Sequence, residues 1–107
     1  EKVFDVACSD GLIVDQETHR CPENKAWVDL SDCSISADSG DKEMKVLWQD
    51  PEFKGNQDAF YYARIIENPV CRWSTWDSIR AGEEPRSDIP VTIQERAWSS
   101  PIWLKKK

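Results

Sequence analysis

The sequence predicts a mainly β fold, a small β-sandwich, complete or incomplete, with one short helix and long loops. Three observations carry that expectation. Apolar residues alternate along several short segments divided by turn signals. The most apolar stretch, Ala59 to Glu67, is dense in aromatic and β-branched residues, which favour strands. Only Ser74 to Ala81 carries the start and stop signals of a helix.

Taken in order, Lys2 to Cys8 alternates, with Phe4, Val6 and Cys8 on one face and Val3, Asp5 and Ala7 on the other, as a half-buried strand would. Ser9-Asp10-Gly11 and Pro22-Glu23-Asn24-Lys25 are turn signals. Between the second turn and the polar loop Ser34 to Asp41, Ala26 to Leu30 offers Val28 and Leu30 as one strand face. Met44, Val46 and Trp48 alternate ahead of Asp50-Pro51 and predict another strand. Gly55 and Asn56 argue against a helix of more than one turn in residues 51–58.

Helical periodicity also fits Ala59 to Glu67, pairing Tyr61 with Ile65 and Tyr62 with Ile66. The segment is short and bounded by Gly55 and Pro69, so a strand is expected, central in its sheet and covered on both faces. In the helix, Ser74 or Thr75 is the expected cap, with Asp77 in the first turn and Gly82 after the last. Thr92 to Leu104 is the final strand. Pro101 cannot donate to a ladder, which places this strand at an edge or bends it. Residues 1–104 therefore read as one β-rich module, with Lys105-Lys106-Lys107 as a frayed basic tail.

Composition narrows the function classes. The chain has 107 residues and a formal charge of -6, which argues against nucleic acid as a partner, because that affinity comes largely from cations on phosphates. No apolar run approaches the roughly 20 residues that span a bilayer, so no membrane insertion is expected. Glu1-Lys2-Val3-Phe4-Asp5 lacks the form of a signal peptide. The charge is uneven. Residues 1–41 hold ten acids against three bases, and the remainder ten acids against eleven bases. A solvated acidic flank accounts for this. Asp38-Ser39-Gly40-Asp41 lacks the repeated Asp-x-Asp pattern of a calcium loop.

Four cysteines, Cys8, Cys21, Cys33 and Cys71, allow two disulfides with three possible pairings. Zinc competes, but the sequence gaps of 13, 12 and 38 contain no closely spaced ligand pair. The preferred pairing is Cys8 with Cys21, closing the polar excursion between them, and Cys33 with Cys71, tying an early strand to the segment after Pro69. Disulfides imply an oxidising compartment, periplasmic or secreted.

The search for chemistry returns no catalytic residue, no metal ligand set and no cofactor site. His19 stands alone in a polar loop and reads as a surface histidine. No Gly-x-Ser-x-Gly elbow occurs, and the four glycines form no phosphate loop. Tryptophan is the unusual feature. Trp73 and Trp76 flank one short segment, Trp98 and Trp103 another, and Arg72 and Arg96 lie where they could stack on Trp73 and Trp98 as cation–π pairs. Either these indoles fill a thin core and clamp the chain end, or they form an exposed platform for a sugar or a neighbouring domain. Buried indoles favour a scaffold, and a solvent-facing row favours binding.

Several strings occur together: Asp50-Pro51-Glu52-Phe53, Ala59-Phe60-Tyr61-Tyr62-Ala63-Arg64, Glu67-Asn68-Pro69-Val70-Cys71-Arg72-Trp73-Ser74-Thr75-Trp76-Asp77 and Ile93-Gln94-Glu95-Arg96-Ala97-Trp98-Ser99-Ser100-Pro101-Ile102-Trp103. With Phe4 to Gly11 and Thr18 to Pro22, they resemble the C-terminal end of a family of large bacterial proteins, domain of unknown function 3604. That resemblance implies a fragment of a longer, often exported protein. The upstream part of such proteins resembles the polymerase-and-histidinol-phosphatase metal hydrolases and carries an Asp-Leu-His-x-His type motif, which this chain lacks. It implies a non-catalytic C-terminal module whose partner is the upstream domain of the same parent chain. No catalytic residue carries over.

Overall fold

The structure is a computed structural model, and it describes residues 1–106. Of the expected tail, Lys107 lies outside the described residues, and the backbone N–H of Lys106 donates to Asp58 Oδ1 at 2.8 Å.

The chain is mostly short strands and loops with one helix. In chain order the strands are β1 (Val28–Asp29), β2 (Ser34–Ile35), β3 (Ala59–Tyr61), β4 (Arg64–Ile66) and β5 (Val70–Cys71). The helix α1 (Trp73–Ala81) follows, then β6 (Thr92–Ile93), β7 (Arg96–Trp98) and β8 (Ile102–Leu104). They pair as four two-stranded antiparallel sheets: β1 with β2, β3 with β8, β4 with β7 and β5 with β6. The two facing multi-stranded sheets of a sandwich are not what this pairing displays.

Three of the ladders lie on one line. Phe60 pairs with Trp103, Ile65 with Ala97 and Val70 with Ile93, so the segment from Ala59 to Cys71 runs antiparallel to the segment from Thr92 to Leu104. Further bonds bridge the gaps: Ser99 N–H to the Ala63 carbonyl and Glu67 N–H to the Glu95 carbonyl, both at 2.9 Å. The result is one long ribbon whose two edges are interrupted at different places. Between the Tyr61–Ile102 and Arg64–Trp98 pairs, the second edge carries an extra residue, at Ser99-Ser100-Pro101. Between the Ile66–Arg96 and Val70–Ile93 pairs, the first edge carries one, at Glu67-Asn68-Pro69. Each bulge contains a proline, which has no N–H to give a ladder.

This corrects the strand expected at Ala59 to Glu67 in two respects. It breaks after Tyr61, and each half has one partner rather than two. Both faces are not covered, since Phe60, Ile65 and Ile66 are exposed. The final strand from Thr92 splits into three, with the bend at Pro101 that its missing donor requires.

Helix α1 fills the connection between the ribbon's edges. It starts at Trp73, earlier than expected, because the Arg72 carbonyl takes the first bonds, from Thr75 N–H at 3.0 Å and Trp76 N–H at 3.2 Å. Neither Ser74 nor Thr75 caps it: both are buried, and Thr75 Oγ1 donates to the Val91 carbonyl at 2.7 Å. No acid lies in the first turn; Asp77 sits further along, 3.8 Å from Arg80. The stop is as expected. Gly82 is left-handed at φ 68, its N–H reaches the Ile79 carbonyl and Glu83 N–H reaches the Ser78 carbonyl, a Schellman closure.

Two expected strands form no ladder. Residues 2–8 and 43–50 run without a turn, bend or pairing. Residues 2–8 are held from the side, by Asp5 N–H to the His19 carbonyl at 2.9 Å and Cys21 N–H to Asp5 Oδ2 at 2.7 Å.

Both disulfides form in the preferred pairing, Cys8–Cys21 and Cys33–Cys71. The second joins the β1–β2 hairpin to β5 in the ribbon. A polar clasp adds a further tie. Asp10 accepts the Gly40 N–H at 2.9 Å, and Asn68 bonds both Asn24 and the Ser39 carbonyl. A side chain at Gly40 would collide with the Asn68 amide at 2.6 Å, and its φ of 89° suits glycine alone.

These ties stand in place of a core. The only buried apolar residues are Cys33 and Cys71, among those described. The radius of gyration is 18.2 Å and the extents are 62 × 27 × 23 Å. A compact domain of this length would have a radius of about 13 Å.

Candidate functional site

The four tryptophans singled out from the sequence fall on three elements. Trp73 opens α1 and Trp76 follows one turn later; Trp98 ends β7 and Trp103 is central in β8. All four are exposed, at 70% for Trp73 and 65% for Trp103. They fill no core, because the short ladders leave them without apolar neighbours to enclose them. Among the described residues no ring contact joins the α1 pair to the ribbon pair.

The expected cation–π pairs are not the ones found. Arg72 does not stack on Trp73; it caps α1 with its backbone, and its Nε is buried without a hydrogen-bond partner. Arg96 stands opposite Ile66 across the β4–β7 ladder, and Trp98 opposite Arg64. The pair that does form is Arg80 over Trp76, 5.5 Å from the ring centre. A helix surface brings residues four apart together, so this partner was available at Trp76 from spacing alone.

Trp103 gains neighbours that the tryptophan pattern did not disclose. Its cross-strand partner Phe60 lies 4.9 Å away between ring centroids, and Phe60 stacks on Tyr62 at 6.3 Å and 15°. The three rings form an exposed aromatic strip on one ribbon face. The alternation of Phe60 and Tyr62 was the signal for it; their pairing with Trp103 depends on the ladder register. The Tyr62 hydroxyl is held above its usual titration range by a hydrogen bond to Glu1.

Tyr61 points to the other face. Its hydroxyl donates to Asp50 Oδ2 at 2.7 Å, and its ring meets Trp48 edge-on at 6.4 Å. Trp48 continues to Phe4 at 5.3 Å, and Phe4 to His19 at 5.1 Å. His19, expected at the surface, is half-buried against Phe4. The ribbon therefore has two unlike faces. One is met by the first half of the chain through Tyr61. The other, with Phe60, Tyr62 and Trp103, is exposed apart from Glu1 at the Tyr62 hydroxyl.

Hydrogen bonding to exposed carboxylates sets the electrostatics. Asp50 is held below the usual 3.8 by the Tyr61 hydroxyl and the Glu52 N–H. Asp10 is lowered by Ser9 and the Gly40 N–H, and Asp15 by the N–H groups of Thr18 and Glu17. Each of these acids closes a local turn or clasp. Among the described residues no three of His, Cys, Asp and Glu converge to hold a metal ion. Shallow grooves indent the surface of the described residues. One, of about 510 Å³, runs along Thr92 to Arg96 and ends at Trp98. Another, of about 560 Å³, separates residues 5–19 from residues 45–51.

The architecture defines a disulfide-tied β module with little interior and an open aromatic face. Residues 1–106 match the model of the family described as "Protein of unknown function (DUF3604)", and the chain belongs to that family. No curated protein and no solved structure matches it. Two disulfides fit an oxidising, extracytoplasmic compartment. No helix among the described residues is long and apolar enough to cross a membrane.

Proposed function

We propose that this chain is a non-catalytic β module that packs on, or completes, a larger body of the same parent protein, in the periplasm or outside the cell. The observation that carries it is an open aromatic face on a chain with almost no core of its own. A two-stranded ribbon is marginal in water unless one face is covered. An exposed strip of Phe60, Tyr62 and Trp103 is the surface such a cover would take. By the family resemblance, that body is the metal-hydrolase-like region upstream, and the catalytic groups are there.

The exposure of the indoles also favours a second reading, an aromatic platform for carbohydrate. Oxidative footprinting of the full-length parent separates the two. Packing predicts that Trp103 and Phe60 are shielded, with modification at least several-fold below that of Phe53, a ring outside the strip that is as exposed in the chain as Phe60. Rings as reactive as Phe53 after correction for intrinsic reactivity, together with protection by added oligosaccharide, would overturn packing and support the platform.

A further inference from the structure

Residues 42–49, Lys-Glu-Met-Lys-Val-Leu-Trp-Gln, carry a strand's alternation yet pair with nothing. Among the described residues they make no backbone–backbone hydrogen bond. Met44 and Val46 are about half exposed and Leu47 is completely so. A run with bare N–H and C=O groups and this much apolar surface is a template for another strand. It borders the groove of about 560 Å³, whose apolar lining includes Val6, Leu12, Ile13, Val46 and Leu47. The groove has two lining residues with full side-chain charges, Asp5 and Lys45. Asp5 is already engaged by Arg20 and by the Cys21 N–H. Lys45 has no ion pair among the described residues. The missing complement is thus an extended segment with apolar side chains at alternate positions and one carboxylate.

We propose that residues 43–48 are a docking edge that receives one added β-strand from the body on which the module packs, with an acidic side chain of that strand meeting Lys45. The proposal rests on the packing function above and names its mode. Main-chain bonds would supply affinity, and the groove and Lys45 would set register.

The test is residue-resolved hydrogen exchange on the full-length parent. Alternate amides within 43–48 are expected to be slowed by about 100-fold or more over their intrinsic rates, as in a ladder. Val46→Pro should return them to intrinsic rates while the β4–β7 amides stay protected. Lys45→Glu, which replaces an attraction to a carboxylate by a repulsion, should lower protection about tenfold, a change of about 1.4 kcal/mol. Intrinsic exchange throughout 43–48 overturns the proposal. If Trp103 is shielded in that same sample, packing stands and only strand addition fails; if it is exposed, both fail. Protection that rises with protein concentration identifies a second copy as the occupant and also overturns it.

Discussion

Asp50 and Tyr61 show how one contact can depend on both ends of the pH scale. The Tyr61 hydroxyl, with the Glu52 N–H, stabilises the Asp50 carboxylate, lowering its titration from 3.8. The same bond raises Tyr61 above 10.0. An acid depressed in the folded state contributes stability above its unfolded value, and that contribution is lost as pH falls through the folded one. A phenol raised in the folded state contributes below its unfolded value, and that contribution is lost as pH rises through the folded one. The contact should therefore be intact between about pH 4 and pH 10, and be lost as pH falls through the lowered Asp50 value or rises through the raised Tyr61 value. In Tyr61→Phe, the Asp50 carboxyl should titrate closer to 3.8, followed by its side-chain carbon shift in NMR. An unchanged midpoint would mean that the Glu52 N–H alone lowers it. In the sequence, Asp50 closes an alternating run and Tyr61 follows Phe60 in the next one, but no local pattern pairs Asp50 with Tyr61.

At the scale of elements, α1 was legible at its end and misplaced at its start. Gly82 is where a left-handed closure needs it. Ser74 and Thr75 have cap chemistry, yet Thr75 is spent on the Val91 carbonyl, a residue sixteen positions away whose approach no local rule foresees. Thr75 is 2% exposed, and Thr75→Val would remove one of the two hydrogen bonds that the Val91 carbonyl accepts, leaving the one from the Arg72 N–H at 3.0 Å. We expect a loss of about 0.5–1.5 kcal/mol, the net value of one hydrogen bond, measured by chemical denaturation of the disulfide-bonded chain, with Thr75→Ser close to the unsubstituted chain. If valine is tolerated as well as serine, the bond contributes little. The ribbon has the same division. Alternation along Ala59 to Glu67 identified strand character, and Pro69 and Pro101 marked the interruptions. That those prolines sit in bulges on opposite edges follows only from the registers.

For the whole molecule, covalent and polar ties substitute for burial. Cys33 and Cys71 are the buried apolar pair, and the bond between them closes a separation of 38 residues. Such a loop contributes about 4 kcal/mol through the unfolded chain, a large share of a marginal total. The Cys33→Ser, Cys71→Ser variant should lose cooperative unfolding, or most of its denaturant midpoint, while the pair at Cys8 and Cys21, closing 13 residues, should cost less when removed. Equal losses would show that the second bridge does not hold the hairpin to the ribbon.

The sequence by itself determined strand character, the helix stop, an even cysteine set with its preferred pairing and a family resemblance that the family match bears out. These are local or countable properties: alternation, turn chemistry, proline's missing donor, thiol number. Only the tertiary structure decided that residues 2–8 and 43–50 remain unpaired, that Trp103 joins Phe60, that Trp98 lies opposite Arg64 rather than stacking with Arg96, and that the indoles face outward. The physical reason is that alternation states which side chains share a face but not what meets that face. A strand's partner and the cover over its apolar side are set by long-range register, and in an elongated chain with almost no core several of those faces stay open.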